Sequence, residues 1–389
     1  MKKLKKLFSM ILCVTMLGSL LSGCSGKKGD DSEDVKKVKV GVILNAGGPQ
    51  SDATEDFFTE ISKEIKGLEF VYVIGDSTDA EANLSTCEGL ISQGCNGIIT
   101  STTAGLESMA EACEAQNIYL TTYLAKPNSE DEEKMKEYDC FLGGVTDGPI
   151  SGAEGGEKAA EYIIENGYKN IGLISFPLDV MTKHKESYDA FVSKIEEYNA
   201  TVEAADQITL QDNEELFFTL LDTSYFAKHP DIDCIYSMAA GVTNVYPPMV
   251  QAGVNGKIAL VTNGMMYDED TYAAINSGDI AMTSTSSIEQ AFFPLALIYD
   301  AVNGQSFDDA PEKPWIEGCG MLYIEGPDDL KAMMDHSYYF RENADDTDRL
   351  LLQPADAKQL LKTYNSDATY EDLTAYLTTL TIDTYKNME

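Results

Sequence analysis

The sequence is short of positive charge. Lys and Arg together number 28 against 65 Asp and Glu, a formal net charge of −37. A surface of that sign repels nucleic acid and anionic lipid headgroups, which argues against a nucleic-acid partner. Histidine is also scarce: the chain holds His184, His229 and His336. No H-x-x-x-H or H-E-x-x-H pairs them, which leaves metal catalysis without ligands. There is no C-x-x-C, no G-x-G-x-x-G and no phosphate loop with its Lys. Beyond residue 23 there is no G-x-S-x-G, which argues against a common type of serine hydrolase. No cofactor and no catalytic residue is expected. Acidic residues are too many for a paired carboxylate to stand out.

What is present is core-forming material. The 389 residues are 43% hydrophobic and 9% aromatic, which suits two domains or one two-lobed body. The N-terminus reads as an address. Lys2, Lys3, Lys5 and Lys6 precede an apolar run, Leu7 to Leu21, that is too short for a comfortable membrane span. It ends in Leu21-Ser22-Gly23-Cys24, which resembles the bacterial lipoprotein box, where the Cys is acylated and becomes the mature N-terminus. Residues 1–23 are expected to be a signal peptide and 24–36 a flexible tether. Removing residues 1–23 takes away four Lys and no acids, leaving 24 bases against 65 acids, a net −41. The remaining Cys residues, Cys87, Cys95, Cys113, Cys140, Cys234 and Cys319, mostly sit in apolar contexts and read as buried small hydrophobes. A disulfide among them stays open, since spacing cannot pair them.

Along the chain, short β-branched runs alternate with helical patterns. Val38–Leu44 is a strand, and Phe57, Phe58, Ile61 and Ile65 mark the buried face of the helix after it. Strands follow at Glu69–Gly75, Gly97–Thr100 and Ile118–Thr122. The stretch Gly143–Pro149 then reads as a crossing. Ser151-Gly152-Ala153-Glu154 has capping-box spacing, and Gly167 suits a left-handed helix end. A second series begins at Asn170–Ser175. It continues with a strand at Thr201–Ile208, a helix at Asn213–Phe226, and strands at Cys234–Ser237, Lys257–Val261 and Ile280–Thr283. Thr283–Ser287 is a second crossing, followed by a helix over Ile288–Val302 and a strand over Gly320–Glu325. The acidic, Tyr-rich end carries helical patterns at Ala355–Tyr364 and Tyr370–Tyr385. Steady alternation argues for parallel sheets covered on both faces.

Several of these pieces together resemble a family. They are KVGVIL at Lys39–Leu44, GIITS at Gly97–Ser101, GGVTDGPISGAEGGEKAAEYII from Gly143, NIGLISF at Asn170–Phe176 and LVTNG at Leu260–Gly264. In order they are similar to the type I periplasmic binding proteins, and within them to the sugar receptors of ABC importers. The resemblance implies an α/β fold of two doubly wound parallel-sheet lobes joined by a three-segment hinge. It implies lobe 1 at 37–145 plus 287–316 and lobe 2 at 146–286 plus 317–335; the acidic, Tyr-rich end, 336–389, reads from its own helical patterns as a C-terminal extension packed on the body. The resemblance implies a permease and ATPase as partners, a lipid-anchored monomer outside the cell, and a small solute, sugar or sugar-like, in the cleft. A nucleoside or other weakly charged aromatic solute, or a sensory rather than an importing role, stays open.

The candidate ligand residues lie in strand-end loops, where that fold places its contacts. Asn45 and Gln50 follow the first strand and offer hydrogen bonds, or are ordinary turn residues. Ser101 follows the third strand. Tyr123 and Phe176 offer stacking faces, or pack the rim. Asp147 contacts ligand or caps the next helix. His184 falls where cleft residues are expected, though the residue by itself reads as a surface His before it reads as a ligand contact. Asn263, Thr285 and Gln290 complete the set, and Cys24 is the lipid site. The sequence departs from the sugar-receptor pattern where that pattern has charged clamps: Tyr123-Leu124-Ala125, His184-Lys185-Glu186-Ser187, Met238-Ala239-Ala240-Gly241 and Asn263 stand there instead.

Overall fold

The computed structural model describes residues 35–388, apart from 46, 77, 126, 128, 147–151, 180, 218, 314, 317–320, 344–350 and 379. Cys24, Asp147 and Cys319 therefore lie outside the described residues, as do the signal and tether.

The first series runs β1 (Val38–Leu44), α1 (Pro49–Ile61), β2 (Leu68–Ile74), α2 (Ala80–Ser92), β3 (Gly97–Thr100), α3 (Leu106–Glu114), β4 (Tyr119–Tyr123), α4 (Ser129–Met135) and β5 (Phe141–Val145). The second runs α5 (Ala153–Glu165), β6 (Asn170–Ser175), α6 (Thr182–Asn199), β7 (Thr209–Glu215), α7 (Ser224–Lys228), β8 (Cys234–Ser237), α8 (Tyr246–Ala252), β9 (Ala259–Thr262), α9 (Glu269–Ser277) and β10 (Ile280–Ser286). Then come α10 (Phe292–Val302), β11 (Trp315–Ile316), β12 (Met321–Ile324), α11 (Pro327–His336), α12 (Pro354–Gln359), α13 (Tyr370–Thr378) and α14 (Ile382–Lys386).

Two six-stranded sheets result, ordered β11-β5-β4-β3-β1-β2 and β12-β10-β9-β8-β6-β7. Each opens by pairing its first strand with its second on one side and its third on the other, all parallel. That reversal is a switch point, and it leaves a crevice beyond the strand C-termini. The central strands are buried on two faces, so β1 and β3 read as near-continuous apolar runs. In lobe 1, Phe57 and Phe58 of α1 are fully buried, each worth about 1.5–3 kcal/mol by the area it removes from water.

The chain passes between the sheets three times. It leaves β5 for α5 and β6. It leaves β10 for α10, which packs back on β3, β4 and β5. It leaves β11, paired with β5, for β12, paired antiparallel with β10. In lobe 2, α5 lies close against α6. A Cβ on Gly156 would fall 2.1 Å from the Ser187 carbonyl oxygen, so glycine is what permits that approach.

Five local expectations need correction. The strand expected at 201–208 lies at 209–215, and the helix expected at 213–226 shrinks to Ser224–Lys228. TLQDNEE carries no apolar alternation because β7 is an edge strand with mostly exposed side chains. Helix α5 has Gly152 at its N-cap, so no side chain caps it, and Ser151 lies outside the described residues. Gly167 does adopt the left-handed end, at φ 74°. The expected helix 370–385 is two helices, broken before Thr381, which starts α14 with its own capping box. The expected helix 355–364 stops at Gln359.

Candidate functional site

Between the lobes, beyond the strand C-termini, lies a cavity of about 570 Å³. That is within the range of small-ligand pockets. Lobe 1 lines it with the loop after β1, the start of α1, Ser101 after β3, and Tyr123 and Leu124 at the end of β4. Lobe 2 lines it with His184, Met238, Asn263 to Tyr267 and the end of β10. The switch-point geometry thus delivers both walls.

On the lobe 1 side, Asn45 is exposed at the mouth. Gln50 reaches across, its Nε2 donating to the Ser286 hydroxyl of β10 at 3.1 Å. Ser101 is half-buried, and Tyr123 is buried with its ring against the cavity. Leu124 holds a left-handed backbone, φ 54°, which is strained for a residue with a branched side chain.

On the lobe 2 side the polar groups bond to one another. Asn263 Nδ2 donates to the Met238 carbonyl at 3.3 Å, and its Oδ1 accepts from the Ser284 hydroxyl at 3.4 Å. The Gly264 amide donates to the same Ser284 oxygen at 3.4 Å. The Thr285 and Tyr267 hydroxyls share a hydrogen bond. His184 is half-buried, and burial holds its imidazole below the usual value of 6.5, so the neutral form is favoured. Phe176 stacks on that imidazole, ring centroids 5.2 Å apart and planes 11° apart.

Of the described candidates, Asn45, Gln50, Ser101, Tyr123, His184, Asn263 and Thr285 therefore meet at one cavity. Phe176 stands behind His184 and does not line it. Gln290 is fully buried in a 3-10 turn leading into α10, away from the lining. Sequence reasoning passed over Met265, Met266 and Tyr267. Their only signal was position, directly after LVTNG.

The lining carries no Asp, Glu, Lys or Arg among the described residues. The chain's two arginines, Arg341 and Arg349, are elsewhere in the sequence. On a protein this acidic, such a lining is a selective environment. Among the described lining residues an anionic solute would find no Lys or Arg to pair with, and a cationic one no carboxylate, so either would lose hydration without return there.

A sequence model described as the periplasmic binding protein domain matches residues 40–306. The chain belongs to that family. Its fold is the type I periplasmic binding protein fold, and the family binds solutes rather than transforming them. No curated protein matches in sequence. Among solved structures, a periplasmic ribose ABC transporter protein from Conexibacter woesei is similar with TM-score 0.58 and 16% identity, over 80% of this chain and 98% of that one. An ABC transporter solute-binding protein from Burkholderia graminis, solved with D-arabinose, gives TM-score 0.55 and 16% identity, over 77% and 98%. The fructose-binding periplasmic domain of a hybrid two-component system gives 0.54 and 16%, over 74% and 90%. At these identities the likeness is one of fold. Among the described residues, no helix is long and apolar enough to cross a membrane.

Proposed function

We propose that this protein captures a small uncharged solute, a sugar or a sugar-like molecule, and presents it to an ABC importer by closing its lobes. The observation that carries the reading is the cavity at the two switch points, whose lining holds no Asp, Glu, Lys or Arg among the described residues. Ribose, arabinose and fructose, the solutes named for three structures of similar fold, are all uncharged. Hydroxyl and amide groups from both walls are suited to hydroxyl-rich ligands, and Tyr123 and Tyr267 offer ring faces. In this reading the solute binds the closed arrangement better than the open one, and that difference in affinity drives closure. Lobe 1 spans 37–145 plus 287–316, and lobe 2 spans 146–286 plus 317–335. A lipid on Cys24 holds the monomer at the outer face of the membrane, beside its permease and ATPase.

A second reading has its own support. Met238, Met265 and Met266 give the lobe 2 wall a soft apolar face that suits a nucleoside or another flat, uncharged ring. A thermal-shift panel of D-ribose, D-arabinose, D-fructose and neutral nucleosides separates the two, because a ligand of the folded state raises the melting temperature by mass action. A shift with a sugar supports the first reading, and a shift with nucleosides alone supports the second. If only phosphorylated or carboxylated solutes shift the protein, both fail. Globomycin-sensitive processing and loss of membrane association in Cys24→Ala would test the anchor.

A further inference from the structure

The family match ends at residue 306, yet the chain continues through helices that touch both lobes in turn. Tyr338 puts its buried ring edge-on against Phe57 of α1 in lobe 1, centroids 4.9 Å apart. The next residue, Tyr339, stacks on Tyr267 of lobe 2 at 4.3 Å, and Phe340 meets Tyr272 of α9 at 5.4 Å. Past α12 the chain is back on lobe 1. The backbone amides of Lys362 and Thr363 donate to the buried Asp300 carboxylate of α10 at 2.8 and 2.9 Å. The Tyr364 hydroxyl accepts from the Lys66 amide at 2.8 Å and bonds the Tyr299 hydroxyl at 2.6 Å. Helix α14 then returns to lobe 2, where Lys386 pairs with Asp329 of α11.

The last contact falls on the hinge itself. Tyr385, fully buried in the lobe 2 core, donates its hydroxyl to Glu289 Oε2 at 3.0 Å. Glu289 sits where the chain leaves β10 for α10. It is fully buried, also accepts from the Ser287 hydroxyl, and its Oε1 has no partner among the described residues. A carboxyl group so placed is held by few contacts, and Tyr385 is one of them.

We propose that the C-terminal segments, Tyr338–Phe340, Leu352–Leu373 and Ile382–Lys386, form a strap that ties the lobes together, with the Tyr385–Glu289 bond latching it to the β10–α10 crossing. A hinge of three segments opens by changing a few backbone dihedrals. Here two more passages of chain must follow any such motion, so the strap limits how far the lobes part. It also backs the ligand wall, because Tyr267 lines the cavity and stacks on Tyr339. Solute contact at Tyr267 and tension in the strap therefore act on one element.

The test uses the full-length chain without ligand, so its failure leaves the solute-binding reading standing. Tyr385→Phe keeps the ring and removes only the latch hydroxyl; Tyr338→Ala removes the lobe 1 aromatic contact. Hydrogen exchange and small-angle X-ray scattering are compared with wild type. The strap predicts amide exchange over residues 286–292 at least about tenfold faster in Tyr385→Phe, with β1 and β6 protected as before. It also predicts a larger radius of gyration in both variants. Unchanged exchange and superimposable scattering overturn the proposal, as does exchange that rises equally throughout the chain. If Tyr338→Ala fails to fold, Tyr385→Phe decides alone.

Discussion

The two walls of the cleft are built on opposite plans. The lobe 2 wall is fixed from within: Asn263, Ser284, the Gly264 amide and the Met238 carbonyl hold one another, and Thr285 holds Tyr267. The lobe 1 wall is open by comparison, with Asn45 and Gln50 exposed and the Gln50 side chain reaching across the gap to the Ser286 hydroxyl. A preformed wall costs little ordering when solute arrives; exposed side chains must be ordered at that moment. The contrast implies that lobe 2 sets what is bound and lobe 1 completes the contacts on closure.

Substitutions can break or sharpen that contrast, and the largest effect is expected in lobe 2. Asn263→Asp puts a charge into an uncharged, buried network. It should weaken an uncharged solute by roughly 100-fold, about 3 kcal/mol, by calorimetry, because the oxygen that replaces Nδ2 faces the Met238 carbonyl, an acceptor. Equal binding before and after would remove Asn263 from the site. Next is Met265→Ala. Met265 is buried, and truncating a buried Met should cost about 2–5 kcal/mol of stability, seen as an earlier denaturant midpoint as well as weaker binding. Loss of binding with an unmoved midpoint would mean that the lobe 2 wall is not the rigid one.

Gln50→Ala should be milder and of the opposite kind. Losing one hydrogen bond to solute should weaken binding by about 0.5–1.5 kcal/mol while the melting temperature of the free protein stays close to wild type. A large drop in melting temperature would show the Gln50–Ser286 bond to be structural. The smallest effect concerns His184. Its folded pKa lies below the unfolded value of 6.5, so the unfolded chain binds more protons as pH falls. The stability it contributes is present above pH 6.5 and is lost as pH drops through the folded value. The melting temperature of wild type relative to His184→Gln should therefore decline below pH 6.5 and stay level above it. A rise in acid would contradict the burial of the imidazole.

Equivalent places in the two sheets show why some of this was legible in sequence and some was not. β2 and β7 occupy the same position in their sheets. LEFVYVI announces itself because its aliphatic and aromatic side chains favour a strand. TLQDNEE does not, since an exposed edge is held by its backbone ladder to β6 and needs no apolar side chains. Asn263 was found because it follows a buried strand at the place where the family puts a ligand-facing polar group. Met265 and Met266 were missed because methionine in a cleft and methionine in a core look alike in sequence. Phe176 was placed at the right strand end, yet its ring supports His184 instead of facing the cavity, an orientation that no sequence spacing encodes. The C-terminal helices were read as an extension packed on the body. Their alternation between lobes depends on isolated residues such as Tyr338 and Tyr385, which carry no periodic signal.

The central claim is that an acidic protein binds its solute against a wall that carries no Asp, Glu, Lys or Arg among the described residues. Its most direct test is the dissociation constant of the best-binding solute from the thermal-shift panel, measured by calorimetry from low to high ionic strength. Mobile ions screen charge over about 10 Å at 0.1 M salt, so interactions between charges at a cleft mouth weaken steeply across that range. The account predicts a dissociation constant that stays flat as salt rises. A several-fold change with ionic strength would mean that charge recognises the solute, and would contradict it.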